Sequence, residues 1–116
     1  MAFALRWTPR ANADYAALRE NARAAGLSRA EQSKSKSSRA EGLFKQVVKT
    51  LTLLADNPKH PGLKTHAYDS LEHPFKPGEK VWEAYVQNNT PGAYRLFWCD
   101  GPGTGEITVI AITPHP

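Results

Sequence analysis

Residues 80–113 read KVWEAYVQNNTPGAYRLFWCDGPGTGEITVIAIT, and this stretch decides the fold. Three runs rich in β-branched and aromatic residues are separated by NNTPG and GPGTG, both turn-forming sequences. In the first run Trp82, Ala84 and Val86 alternate with Glu83, Tyr85 and Gln87. In the second, Tyr94, Leu96 and Trp98 alternate with Arg95, Phe97 and Cys99. Runs this closely spaced predict an antiparallel three-strand meander in which each set lies on its own face.

Working outward, FALRW at 3–7 alternates in the same way and predicts a first strand with Phe3, Leu5 and Trp7 on one face. In the segment that follows, Thr8 suits a helix cap and Pro9 a first helical turn. Ala11, Tyr15, Leu18, Ala22 and Ala25 share one helical face, and Gly26 reads as the terminator. Two S-x-x-E patterns, Ser28 to Glu31 and Ser38 to Glu41, each read as a capping box. The second precedes LFKQVVKTLTLLADNP at 43–58, where Phe44, Val47, Leu51 and Leu54 recur at helical spacing. That predicts a helix over 39–56, closed by Asn57-Pro58. The Ser/Lys/Arg-rich connector before it reads first as a solvated loop, and offers Lys34, Lys36 and Arg39 as contacts for a phosphate backbone. Residues 59–80 carry Pro, Gly and His without periodicity and read as an irregular surface loop. The order β-α-α-β-β-β predicts one α+β domain over 1–116. Its two-helix hairpin packs on one face of a mainly antiparallel sheet, and the other face stays partly open as a platform.

Composition narrows the function. The chain has 116 residues, 41% hydrophobic and 22% charged, enough for a core without staples. No apolar run is long enough for a membrane span, and the N-terminus lacks the order of a signal peptide. The single cysteine, Cys99, cannot close an internal disulfide, suits a reducing cytoplasm, and reads as a packed thiol. A net charge of +4 fits contact with a polyanion and fits an ordinary basic surface equally well. The four histidines, His60, His66, His73 and His115, have no zinc-like spacing, and there is no phosphate-binding loop or G-x-S-x-G turn. No metal and no small-molecule cofactor is expected.

Arg95 is the anomaly. It lies in an apolar strand, on the face turned away from the helices, where a charge is costly unless paired. It either pairs with Glu83 on the neighbouring strand or aims its fork at an anionic ligand. His115, flanked by Pro114 and Pro116, follows the last strand directly. Lys64 and His66 in GLKTH add an ammonium and an imidazole from the loop that enters the meander. Imidazole, ammonium and guanidinium together suit cleavage of RNA by its own 2′-hydroxyl. A base takes the hydroxyl proton, cations stabilise the phosphorane, and an acid protonates the leaving oxygen.

With WTPRANADYAAL, KQVVKTLTLLADNP, GLKTH, VWEAYV, AYRLFW and ITVIAITPHP in this order, nearly the whole chain resembles the RelE/ParE superfamily of bacterial toxins, in particular its RelE- and YoeB-like branch. The resemblance implies a ribosome-dependent mRNA endonuclease of the cytoplasm, held inactive by a cognate antitoxin protein. It implies that Arg95 contacts the scissile phosphate and that His115 is an acid or base. Lys64 falls at a basic position beside His66, and Tyr85 is a candidate for base stacking. Many relatives carry a tyrosine near the terminus, where this chain ends Thr113, Pro114, His115, Pro116. The loop 67–80 and the connector are longer than in compact members. The ParE branch inhibits DNA gyrase instead, and a basic binding module without activity is a third expectation on the same fold.

Overall fold

The computed structural model describes residues 2–31, 38–88 and 92–115. Strand β1 (Ala4–Trp7) leads into helix α1 (Pro9–Glu31) and helix α2 (Arg39–Asp56). A single 3-10 turn (Pro61–Leu63) and a two-residue strand β2 (His66–Ala67) precede β3 (Trp82–Tyr85), β4 (Tyr94–Asp100) and β5 (Glu106–Pro114). The five strands lie in the order β1-β5-β4-β3-β2. The pairs β2–β3, β3–β4 and β4–β5 are antiparallel, whereas β1 runs parallel to β5. The expected α+β architecture, with its helix pair and terminal meander, is observed.

The helix layer forms because both helices carry apolar stripes. Leu18 of α1 and Val47, Leu51 and Leu54 of α2 are buried against Ala84, Leu96, Trp98, Ile107, Val109 and Ile112 of the sheet. Thr8 fixes the start of α1: its hydroxyl accepts from Ala11 N–H at 3.1 Å and donates to the Ile110 carbonyl at 2.7 Å. The β4–β5 ladder shifts register between Phe97 and Trp98, and Asp14 of α1 accepts the Ile112 N–H at 3.0 Å nearby. The capping box at Ser38 and Glu41 is present, and α2 spans the expected residues.

Three expectations are corrected. Helix α1 does not stop at Gly26 but runs on to Glu31, so Ser28 lies inside the helix and not at the start of one. A Cβ at Gly26 would stand 3.2 Å from Glu41 Oε2 of α2, a tight contact with the end of a side chain. The loop 59–80 holds the small strand β2, too short to show a period. Finally, the second face of the sheet is not simply open. Tyr68 and Leu71 from that loop pack on Val81, Phe97, Cys99, Ile110 and Ala111 and close a second, smaller core. Only the end of this face nearest Arg95 stays free of the loop.

Candidate active site

Strand alternation sets the candidate site. On β3, Glu83 and Tyr85 point away from the helices. Arg95 is the cross-strand partner of Tyr85, Thr113 of Arg95, and His66 of Glu83. His115 lies two residues beyond Thr113, so it falls on the same side. Its N–H donates to the Ala93 carbonyl at 2.8 Å, which ties the tail to the start of β4. The sheet thus brings Lys64, His66, Glu83, Tyr85, Arg95 and His115 to one end of one face.

Arg95 is only 8% exposed. Its guanidinium lies over the Tyr85 ring, with Cζ 3.8 Å from the centroid, and Nη1 donates to the Gln87 and Tyr94 carbonyls at 2.7 and 3.2 Å. Its Nε is buried without a hydrogen-bond partner. The pairing with Glu83 that the sequence allows is not made. Arg95 is held by a ring and two carbonyls, with no anion to neutralise it among these contacts.

Glu83 is spent elsewhere. It is 1% exposed, and Oε1 stands 2.5 Å from His66 Nε2 while Oε2 faces His115 Nε2 at 3.6 Å. Oε2 itself has no hydrogen-bond partner. The two imidazoles above it are about half exposed, 48% and 49%. His66 Nδ1 also lies 3.1 Å from the Lys64 carbonyl. A carbonyl only accepts, so the Lys64 contact is a hydrogen bond in the tautomer that carries its proton on Nδ1. Both ring nitrogens of His66 thus lie within hydrogen-bond distance of an oxygen.

Lys64 shapes this corner twice. It adopts the left-handed conformation (φ 50°), uncommon for a residue with a side chain, at the end of the 3-10 turn. That places its carbonyl at His66 and its ammonium 5.7 Å from the Tyr85 ring centroid.

The structure therefore brings together Arg95, His115, Lys64, His66 and Tyr85. Arg39 is the first residue of α2, in the helix layer, across the sheet from this cluster. Lys34 and Lys36 lie outside the described residues. Sequence reasoning treated Glu83 only as a partner for Arg95, yet it is the centre of the cluster. The signal was a carboxylate in the middle of VWEAYV, on the same face as Arg95. Cys99 is a packed thiol, as expected, its pKa pushed up to about 11 by burial and secondarily by the charge of Asp100. Among the described residues no group of three or more His, Cys, Asp or Glu could hold a metal ion, and no helix is long and apolar enough to cross a membrane.

A helix pair on a mixed five-stranded sheet is the fold of RelE- and YoeB-like toxins. The chain superposes on a YoeB/ParE toxin from Agrobacterium tumefaciens with a TM-score of 0.60 at 12% identity, covering 97% of this chain and 99% of that one. It superposes on the YoeB dimer structure from Staphylococcus aureus with a TM-score of 0.58 at 13% identity over 100% of both chains. For the archaeal RelE–RelB complex from Pyrococcus horikoshii OT3 the TM-score is 0.53 at 14% identity, over 98% and 96%. No family model matches the sequence, and no curated protein does.

Proposed function

We propose that this protein is the toxin of a toxin–antitoxin pair and cleaves RNA through the RNA's own 2′-hydroxyl. One observation carries the reading: a nearly buried guanidinium with an unpartnered Nε shares a face with a carboxylate flanked by two imidazoles. Arg95 and Lys64 supply positive charge for the phosphate, whose charge grows in the transition state. The Glu83–His115 pair takes the proton from the 2′-hydroxyl and delivers one to the departing 5′-oxygen. The P–O2′ bond forms as the P–O5′ bond breaks, leaving a 2′,3′-cyclic phosphate and a 5′-hydroxyl. His66, with both nitrogens engaged, orients Glu83 and does not reach the RNA. The fold shared with RelE and YoeB structures supports the toxin class, and the partner in the RelE–RelB structure supports an antitoxin for this chain. An mRNA substrate engaged on the ribosome is part of the same proposal.

The test is incubation of the purified protein with translating ribosomes and with free RNA. Cleavage leaving 2′,3′-cyclic phosphate ends, about 10²–10³-fold slower in Arg95→Ala, is the expected result. Intact RNA in both arms together with arrest of gyrase supercoiling would overturn it in favour of gyrase inhibition.

A further inference from the structure

Arg95 presents one nitrogen to its surroundings. Nη1 donates to the Gln87 and Tyr94 carbonyls at 2.7 and 3.2 Å, and Nε is buried. Nη2 bonds to nothing among the described residues, and it is not one of their buried unpartnered atoms, so it keeps contact with solvent. A guanidinium is planar, so its rotation over the Tyr85 ring decides where Nη2 points. The shorter of the two Nη1 bonds, to the Gln87 carbonyl, therefore aims the charge.

What places that carbonyl is a break in the strand pattern. Plain alternation puts Gln87 on the face of Glu83 and Tyr85. Instead, the Val86 and Gln87 N–H groups both donate to the one Tyr94 carbonyl, each at 3.2 Å. Two residues opposite one make a β-bulge, which bends the strand and re-aims the side chains beyond it. The Gln87 side chain turns to helix α2, where its Nε2 donates to Gln46 Oε1 at 3.2 Å. Its Oε1 accepts the Tyr94 N–H at 3.1 Å, a group that a regular ladder gives to a backbone carbonyl. The side-chain oxygen stands in for that carbonyl, and the Gln87 carbonyl is free to hold Arg95. Turning the amide over would set its NH₂ against the Tyr94 N–H, donor against donor.

We infer that Gln87 is a positioning residue of the Arg95 site: its side chain holds the bulge that directs its own carbonyl at Nη1, and so turns Nη2 outward to the phosphate. The inference rests on the endonuclease reading for its effect on rate, and it can be tested apart from cleavage. Gln87 acts through Arg95 and does not touch the RNA. Gln46 braces it from α2 through an exposed hydrogen bond and contributes less.

The experiment compares Gln87→Leu with Gln87→Glu in the full-length protein. Leucine keeps the bulk but offers the Tyr94 N–H no acceptor. Glutamate keeps the acceptor, and the Gln46 amide can turn to donate to its second oxygen. For RNA cleavage, kcat should fall about 10- to 10²-fold in Gln87→Leu while KM stays within about twofold, the pattern of a misplaced group. Gln87→Glu should stay within about threefold of the parent, since both hydrogen bonds survive. The Arg95 Nε–H resonance, assigned by its loss in Arg95→Lys, reads the same point without RNA. It should exchange slowly with water in the parent and in Gln87→Glu, and quickly in Gln87→Leu. Equal loss of rate in the two variants overturns the inference, and so does an unaltered Arg95 signal in Gln87→Leu. A raised KM with unchanged kcat would mean that Gln87 touches the RNA itself and also overturns it. Gln46→Leu carries the test should Gln87→Leu fail to fold. It should lower kcat about two- to threefold, the worth of one exposed hydrogen bond, and speed exchange of the Arg95 signal. Parent behaviour in both readouts overturns the inference. RNA left intact by the parent protein would remove the endonuclease reading, and the Arg95 signal would still decide the role of Gln87.

Discussion

Phe97 and Arg95 stand two residues apart on β4 and point to the same side of the sheet, yet their surroundings are opposite. Phe97 is 2% exposed under the loop, with the Tyr68 ring 4.7 Å away and Cys99, Ile110 and Ala111 around it. Arg95 is nearly as buried, but by a ring and two carbonyls, beside a carboxylate it does not pair with. The strand decides only which side a residue faces. The chain that covers that side decides whether it becomes core or site. One end of this face contributes stability; the other holds buried charges and unpartnered atoms, which cost stability.

The strongest way to break this contrast is at its apolar end. Phe97→Ala is expected to lower the unfolding free energy by about 3–5 kcal/mol, the usual cost of emptying a large ring site. Urea denaturation measures it. A loss below about 1 kcal/mol would mean that the loop is no true second core. Arg95→Ala is the mirror experiment. RNA cleavage should fall about 10²–10³-fold, as when one preorganised donor to the developing charge is removed. The urea midpoint should stay close to that of the parent protein. Arg95→Lys should not restore cleavage, because a point ammonium cannot lie on Tyr85 and reach both carbonyls as the planar fork does.

Much of this contrast is legible in the sequence, and the rest is hidden for physical reasons. Period-two alternation assigns Arg95 and Phe97 to the face away from the helices, and Leu96 and Trp98 to the helix side. The capping box at Ser38 places α2 to the residue. Gly26 misleads because a glycine inside a helix and one that ends it look alike in the local sequence, and here the helix continues to Glu31. The cover over Phe97 is invisible as well, since Tyr68 and Leu71 sit in an aperiodic loop whose docking is settled by tertiary contact alone. Glu83 is misjudged for a related reason. Its natural partner by charge was Arg95, but His66 on the newly formed β2 lies directly opposite and takes it first.

His66 sharpens the polar end. If it orients Glu83 and does not exchange protons with RNA, then His66→Ala should lower the cleavage rate about 10²-fold, the cost of a misplaced group. His66→Gln should stay within about tenfold of the parent, since an amide N–H can stand where Nε2 stands and donate to Oε1. A proton-transferring histidine would be lost equally in both. Substrate affinity should hardly change in either variant, because His66 touches the carboxylate and not the phosphate.

The smallest effect belongs to Cys99, two residues beyond Phe97 on the covered side. Its thiol is fully buried, and its pKa is raised to about 11 by that burial first and by Asp100 second. An unfolded cysteine ionises near 9, so over that interval the native chain keeps its proton while the unfolded chain gives it up. The contribution of this group to stability is thus present below about pH 9 and is lost as the pH rises toward 11. A shift of about two units leaves about 10²-fold less thiolate at neutral pH, and thiolate is the reactive form. Labelling of native protein by a disulfide reagent at pH 8 should accordingly be at least 10²-fold slower than labelling in urea. It should accelerate in Phe97→Ala, where the cover is loosened, and stay unchanged in Arg95→Ala. Equal acceleration in both variants would show that the two ends of the face open together, and the division between core and site would then fail.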